Sequence, residues 1–394
     1  MLGRPDSWRN VNIFGHGGKK LGIINAEGPN WNEQRRFALK HLRDLGFGKK
    51  SLDFVMNQEA DQLIDKLLEA KNGEIEMHNT FNIAVVNVLW QIVASKRYDP
   101  TSPEAESMIQ IVNNPIQDFN IFNLLPTIFR NVQSVKMQDH SLFKLRSLMK
   151  TLVTEHLQDI DYEHPRDFID IYLSELKANQ DDPNSNFSVE QLVVICMDFF
   201  LAGAETTSTT LLWAVMFMAL HPDVQDKCQV EISDQIGSRH PTIEDMKDLP
   251  YVMATLNEIQ RVSMVAPGTL PHILMQDFKF RDYYFKKGTM FTANVSKFLS
   301  DPETFPEPKV FNPERFLDQK EEQVKKFEKF VPFGVGKRIC MGESLAKNEL
   351  FSYFVRLLQR VSFEVIPGKV PNPENVISGI TRLPMPFYVK VIAK

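Results

Sequence analysis

Ten residues near the C-terminus carry the densest chemistry of the chain: Phe333-Gly334-Val335-Gly336-Lys337-Arg338-Ile339-Cys340-Met341-Gly342. Cys340 follows Arg338 by two positions in a glycine-punctuated loop. The loop runs into an apolar helical stripe of Ala346, Leu350, Tyr353, Phe354, Leu357, Leu358 and Val361. A cysteine so placed meets the positive end of a helix dipole and backbone N–H donors. Both favour the thiolate over the thiol. Glycines at 334, 336 and 342 remove Cβ atoms where a flat, bulky group would lie against the backbone. The competing reading is a buried structural cysteine ahead of an ordinary helix, and it is the F-x-x-G-x-R-x-C-x-G spacing that favours a metal-binding thiolate.

Further constellations lie upstream. Ala202-Gly203-Ala204-Glu205-Thr206-Thr207 interrupts a long apolar segment. A glycine inside a helix costs about 1 kcal/mol relative to alanine, so close approach of a flat group is one reason for it. A carboxylate followed by a hydroxyl can relay protons to a metal-bound oxygen, and the Thr206 hydroxyl can bond a backbone carbonyl and open the helix locally. Glu258 and Arg261, three apart, form either a surface ion pair or part of a buried network. Trp31 and Arg35, four apart, share one helix face.

Taken together, these segments resemble the cytochrome P-450 family of heme-thiolate monooxygenases, over nearly the whole chain. The resemblance implies heme b with Cys340 as axial ligand to the iron, the cysteine ligation that favours O–O cleavage. It implies that Glu205 and Thr206 deliver protons, and that Trp31, Arg35, His272 and Arg338 hold the heme propionates. Ala202, Phe333 and Gly342 would adjoin the heme. Arg315, from Pro313-Glu314-Arg315-Phe316, would join Glu258 and Arg261 as structural support. Phe199, Phe200, Val265, Ala266 and Ile380 would line an apolar pocket for a lipophilic substrate. The expected reaction inserts one atom of O2 by hydroxylation or epoxidation. Electrons would come from NADPH through a separate flavoprotein reductase, with cytochrome b5 a further donor, because nothing in the chain resembles a flavin or nicotinamide site. Basic residues near the face the resemblance makes proximal, Arg36, Lys40, Arg43 and Lys337, would suit an acidic donor, the competing reading being a solvated helix face. Two rival readings are a peroxide-rearranging relative, which would not need Glu205-Thr206, and a truncated, poorly folded or non-catalytic heme- or ligand-binding fragment.

The wording around Asn30 to Phe37, Ala202 to Thr210 and Leu270 to His272 is similar to the microsomal animal clan, and overall to its arthropod members. Residence on the cytosolic face of the endoplasmic reticulum membrane is therefore expected. Members of that clan carry an anchoring helix, a proline-rich hinge, a first helix and two strands before the point where this sequence starts. The strands near His272 to Phe291 are accordingly expected to present an unpaired edge. The apolar run Ile121 to Phe129 is a second candidate membrane contact.

These groups must be positioned by a mainly α fold with small antiparallel or mixed β-sheets. The 394 residues, 43% of them hydrophobic and 24% charged, have globular composition. No linker or repeat divides them, so residues 1–394 read as a single domain. A net charge of −5 argues against nucleic acid as partner. Three scattered cysteines are too few for a disulfide framework. Helices are predicted over about 31–45 with Asn30 as cap, 51–70, 81–94, 141–159, 167–179, 223–236 and 251–263. The long helix to Leu220 starts from a capping box of Ser188 and Gln191; its stretch from Leu192 carries Asp198 and Glu205, which marks a core helix. Residues 272–291 read as a hairpin turning near Lys287-Gly288, and 387–392 as a strand.

Overall fold

The computed structural model describes residues 2–5, 13–70, 73–105, 107, 133–320 and 323–394. Among them the longer helices run, in chain order, α1 Gly28–Asp44, α2 Asp53–Leu68, α3 Asn82–Ala94, α4 Gln133–Asp159, α5 Phe168–Ala178, α6 Val189–Leu220, α7 Pro222–Gln235, α8 Pro250–Ser263, α9 Val295–Leu299 and α10 Glu343–Arg360. The strands are β1 Leu2–Gly3, β2 Gly15–His16, β3 Lys19–Lys20, β4 Glu74–Glu76, β5 His272–Leu274, β6 Phe278–Phe280, β7 Tyr283–Phe285, β8 Met290–Phe291, β9 Val361–Val365, β10 Val376–Ser378, β11 Arg382–Pro384 and β12 Tyr388–Ala393. The fold is mainly α with small antiparallel sheets, as expected. The apolar segment Ile121 to Phe129 lies outside the described residues.

The chain forms two compact units. One comprises Met1–Leu45, Leu89–Ala202 and Gly268–Ala293. In it α1 packs on α5, and Phe37 meets Phe168, Tyr172 and Phe187 edge-on within 6.1 Å. The Tyr172 hydroxyl donates to Gln34 Oε1 at 2.9 Å, so the buried amide of α1 is satisfied. A three-stranded antiparallel sheet has the order β1-β5-β8. Contrary to the expected loss of pairing, β5 has a partner on each side, β1 and β8; Met290 and Phe291 of β8 are exposed.

The other unit comprises Gly46–Val88, Gly203–Pro267 and Asn294–Lys394. There α10 packs against α2 and α7. Leu350, Phe351, Phe354, Leu357 and Leu358 of α10 are buried at i, i+1, i+4, i+7 and i+8, the spacing of one helix face. Met56, Ala60, Leu63, Ile64 and Leu67 form the matching stripe of α2. A second antiparallel sheet has the order β4-β12-β9.

Several boundaries differ from the sequence reading. α1 starts at Gly28 after Glu27, with Pro29 in its first turn, so Asn30 is inside the helix and does not cap it. Proline preorganises that turn because its missing N–H would be unbonded there anyway. The stretch turns twice: at Arg281-Asp282 between β6 and β7, where Arg281 takes the left-handed φ of +54, and at Lys287-Gly288 as expected, where Thr289 N donates to Lys286 O at 3.1 Å. The capping box is half made. Ser188 Oγ accepts from Gln191 N at 3.1 Å, while the Gln191 side chain bonds both backbone groups of Gly22 instead of reaching back.

Candidate functional site

Cys340 is exposed at the head of α10, whereas Cys196 and Cys228 are buried and none of the three is in a disulfide. Burial pushes the Cys228 thiol up to about 12 and the Cys196 thiol higher still, so neither can supply a thiolate. The cysteine loop is closed by Cys340 N donating to Phe333 O at 3.0 Å and Ile339 N to Gly336 O at 3.1 Å. Gly334 and Gly336 both sit at left-handed φ, +77 and +75, where a side chain would strain the turn. Gly342 is the residue before α10, and a Cβ on it would stand 3.8 Å from Cys340 Sγ. Phe333 is half-buried beneath the Lys347 ammonium, 5.4 Å from its ring, and Arg338 is half-buried.

α6 is a single unbroken helix, so the local opening expected at Thr206 does not occur. The Thr210 and Ser208 hydroxyls bond the carbonyls of Thr206 and Ala204 one turn back. One described helix, α6, is long and apolar enough to cross a bilayer, but 78% of that window is buried, which marks a core helix. From Gln191 to Ala219 every residue of α6 is buried except Leu201, Ala202, Gly203 and Thr206. Positions 202, 203 and 206 share one face, so the gap is a patch of small side chains on an otherwise covered helix.

Glu205, beside that gap, is 2% exposed. Thr381 Oγ1 donates to its Oε1 at 2.7 Å, and its Oε2 has no partner among the described residues. Burial raises its carboxyl to about 7, against the lowering effect of Thr381. Thr381 was not foreseen from sequence, because nothing local marks it. It is brought there by the segment before β11, where Arg382 N donates to Val265 O at 2.8 Å. Val265 is half-buried, and Ala266 and Ile380 are exposed.

Glu258 and Arg261 are both fully buried. Arg261 Nε and Nη2 donate to the two Glu258 oxygens at 2.7 and 2.8 Å, and Arg315 Nε donates to Oε1 at 3.1 Å. Both guanidiniums spend their other donors on carbonyls, Arg261 on Leu299 and Pro308, Arg315 on Pro306 and Val310. The buried charges are thus paired and hydrogen-bonded, which such charges require.

In the first unit Trp31 is buried on α1 with the Arg35 guanidinium 5.9 Å from its ring. His272 is buried in β5 and stacks on Phe291 at 5.8 Å. Phe200 is fully buried against Trp90, a core position, and Phe199 meets Phe168 edge-on. Two groups here escaped the sequence reading. Arg4 is buried, donating to the carbonyls of Ile24, Leu270 and Pro271 at 2.8, 3.2 and 2.9 Å. Asp198, one turn before Ala202, accepts from Ile23 and Ile24 N at 2.6 and 2.9 Å, and burial pushes it up to about 7. Gly22 allows this approach: its φ is +78, and a Cβ would fall 2.4 Å from Asp198 Oδ2.

An exposed thiol ahead of a helix and a buried acid beside a small-residue gap fit the pattern that the sequence suggested for a heme-thiolate enzyme. The comparisons agree. The family profile described as Cytochrome P450 matches residues 6–391. The chain is 36% identical to cytochrome P450 2D26 of Mus musculus, over 97% of this chain and 78% of that protein. It is 37% identical to cytochrome P450 2C8 of Homo sapiens, over 94% and 77%, and 34% identical to cytochrome P450 2J2 of Homo sapiens, over 95% and 74%. The chain belongs to the cytochrome P450 family of heme-dependent monooxygenases, which use heme b with a cysteine thiolate.

Proposed function

We propose that this enzyme inserts one oxygen atom from O2 into a lipophilic organic substrate, by hydroxylation or epoxidation. The observation that carries the reading is Cys340, exposed at the N-terminus of α10 while the two other cysteines are buried. Cys340 would hold the heme iron, with Phe333 and Gly342 beside it. Arg338, and from the first unit Trp31, Arg35 and His272, would meet the propionates, which need cationic or N–H donors when partly buried. When bound, heme supplies the oxygen chemistry. The protein's part is to orient the substrate, exclude water and move protons.

Glu205 suits the last task, because a carboxyl poised near 7 can both release and take up a proton at working pH. Thr206, half-buried on the next position, would pass that proton toward the gap at Ala202 and Gly203. Phe199, Phe200, Val265, Ala266 and Ile380 would face or back the substrate. Glu258, Arg261 and Arg315 would brace the fold behind the heme.

An NADPH-dependent flavoprotein reductase would supply electrons, with cytochrome b5 as a second donor. The exposed Arg36, Lys40 and Arg43, at i, i+4 and i+7 of α1, and Lys337 suit an acidic partner surface. The cytosolic face of the endoplasmic reticulum is the proposed location. The test is NADPH-dependent product formation from a panel of terpenoid, fatty acid, steroid and xenobiotic substrates with added reductase. Turnover that needs both NADPH and reductase is expected. Product formed from organic peroxides with neither present would support the peroxide-rearranging reading instead.

A further inference from the structure

The segment that reaches Glu205 is fastened one residue further on. β10 and β11 form an antiparallel hairpin in which Ser378 pairs with Arg382, so Gly379, Ile380 and Thr381 are its tip. Gly379 N donates to Thr381 O at 2.9 Å and closes that tip. Arg382 then fixes it from several directions. Its backbone N–H reaches Val265 O, and its Nη1 donates to the carbonyls of Val262 and Ser263 at 3.1 Å each, at the C-terminal end of α8. Its Nη2 donates to Pro373 O at 3.2 Å. Its own carbonyl accepts from Trp213 Nε1 at 3.0 Å, and its guanidinium lies 5.3 Å from the Trp213 ring. All of these residues belong to the second unit.

Trp213 is on α6, about two turns beyond Glu205. Consecutive residues of the hairpin therefore hold α6 at separate points, Thr381 through its hydroxyl on Glu205 and Arg382 through its carbonyl on Trp213. Thr381, Glu205 and Trp213 are all buried. In a buried site a short hydrogen bond from a fixed donor is strong, and it holds the carboxyl in one orientation.

The two carboxyl oxygens are thereby made unequal. Oε1 is engaged by Thr381, and Oε2 has no partner among the described residues. Burial and Thr381 are the influences on this acid, and no charged side chain among the described residues competes to turn it.

We infer that Thr381, anchored through Arg382 and Trp213, is a positioning residue for proton delivery: it holds Glu205 by Oε1, so that Oε2 is the oxygen that gives and takes the proton. The delivery role rests on the monooxygenase reading, whereas the anchoring of the carboxyl does not.

The test uses the full chain and the variants Thr381→Val, Thr381→Ser and Trp213→Phe. Thr381→Val keeps the shape and removes the donor, and Thr381→Ser keeps the donor. The first readout needs no turnover. Melting temperature against pH is recorded for each variant with and without Glu205→Gln, which isolates the part of the profile due to Glu205. Thr381→Val should move the midpoint of that part up by about one pH unit, the scale of one hydrogen bond. Trp213→Phe should move it the same way by less, and Thr381→Ser should keep the parental midpoint. No movement in Thr381→Val, or an equal movement in Thr381→Ser, would overturn the anchoring. The second readout is coupling. With reductase and NADPH, hydrogen peroxide released per product should rise about three- to tenfold in Thr381→Val, with Thr381→Ser near the parent. Parental coupling in Thr381→Val would overturn the delivery role. A parent that forms no product, beside an intact melting shift, would count against the monooxygenase reading and with it the delivery role, and would leave the anchoring standing.

Discussion

The Thr381 hydroxyl donates a 2.7 Å hydrogen bond to Oε1 of Glu205 and is the one hydrogen-bond partner of that buried carboxyl among the described residues. A residue 176 positions away in sequence thereby tunes the acid of the α6 turn. The carboxyl rises from 4.5 to about 7 because burial outweighs the hydrogen bond. Between those values the folded state holds a proton that the unfolded state has released. Stability therefore falls as pH rises through this window and stays reduced above it. Glu205→Gln should flatten that fall, with a gain of about 3 kcal/mol at most at pH 8 relative to the parent. Melting temperature from pH 4.5 to 8 checks this. The same variant should lose about 10²-fold or more in turnover, the usual scale of a lost acid or base. Thr381→Val should push the carboxyl higher still.

Glu258 makes a different prediction, because its charge is compensated. Removing the anion alone, as in Glu258→Ala, leaves the Arg261 guanidinium buried without a counter-charge. The expected cost is about 3–5 kcal/mol. Arg315→Lys should cost less, since Arg315 is the less buried partner and shares Glu258 with Arg261. Urea denaturation of the two variants beside the parent gives the order. Equal, small losses would contradict the network as a buried unit.

His156 supplies a pH effect of the same sign by another route. Its Nδ1 faces Leu152 O at 2.8 Å and its Nε2 faces Asp167 Oδ2 at 3.1 Å, both acceptors, so both nitrogens must carry protons. Burial lowers this imidazole, but the Asp167 hydrogen bond, the Leu152 carbonyl and the charges of Asp167 and Asp170 outweigh it, and the net direction is up. The contribution is fully present below the ordinary histidine value and is lost as pH rises through the folded value. Asp167 also caps α5 by accepting from Asp170 N. His156→Phe should thus destabilise by about 3–5 kcal/mol at pH 6 and by less at pH 9. A loss independent of pH would contradict the charged pair.

Short-range patterns were readable in the sequence, and long-range partners were not. The helix after Cys340 followed from its apolar stripe, whereas α6, buried on nearly all sides, followed from its capping residues and its length. The three-residue spacing of Glu258 and Arg261 could not by itself tell a surface pair from a buried one. The partners of Thr381, Arg4 and Asp198 stayed hidden for a common reason. Each acquires its partners by tertiary contact, and a lone threonine, arginine or acid carries no local sign of burial. Asn30 misled because it is a good cap followed by an apolar residue, yet Pro29 had already set the first turn.

The central claim is that Cys340 ligates heme through its thiolate. The most direct measurement is the absorption spectrum of the reduced, carbon monoxide-bound protein, expressed with heme supply, beside Cys340→Ala. The account predicts the red-shifted Soret band that gives the family its name in the parent, and its loss in the variant. Absence of the band in the parent, or its persistence in Cys340→Ala, would contradict the account.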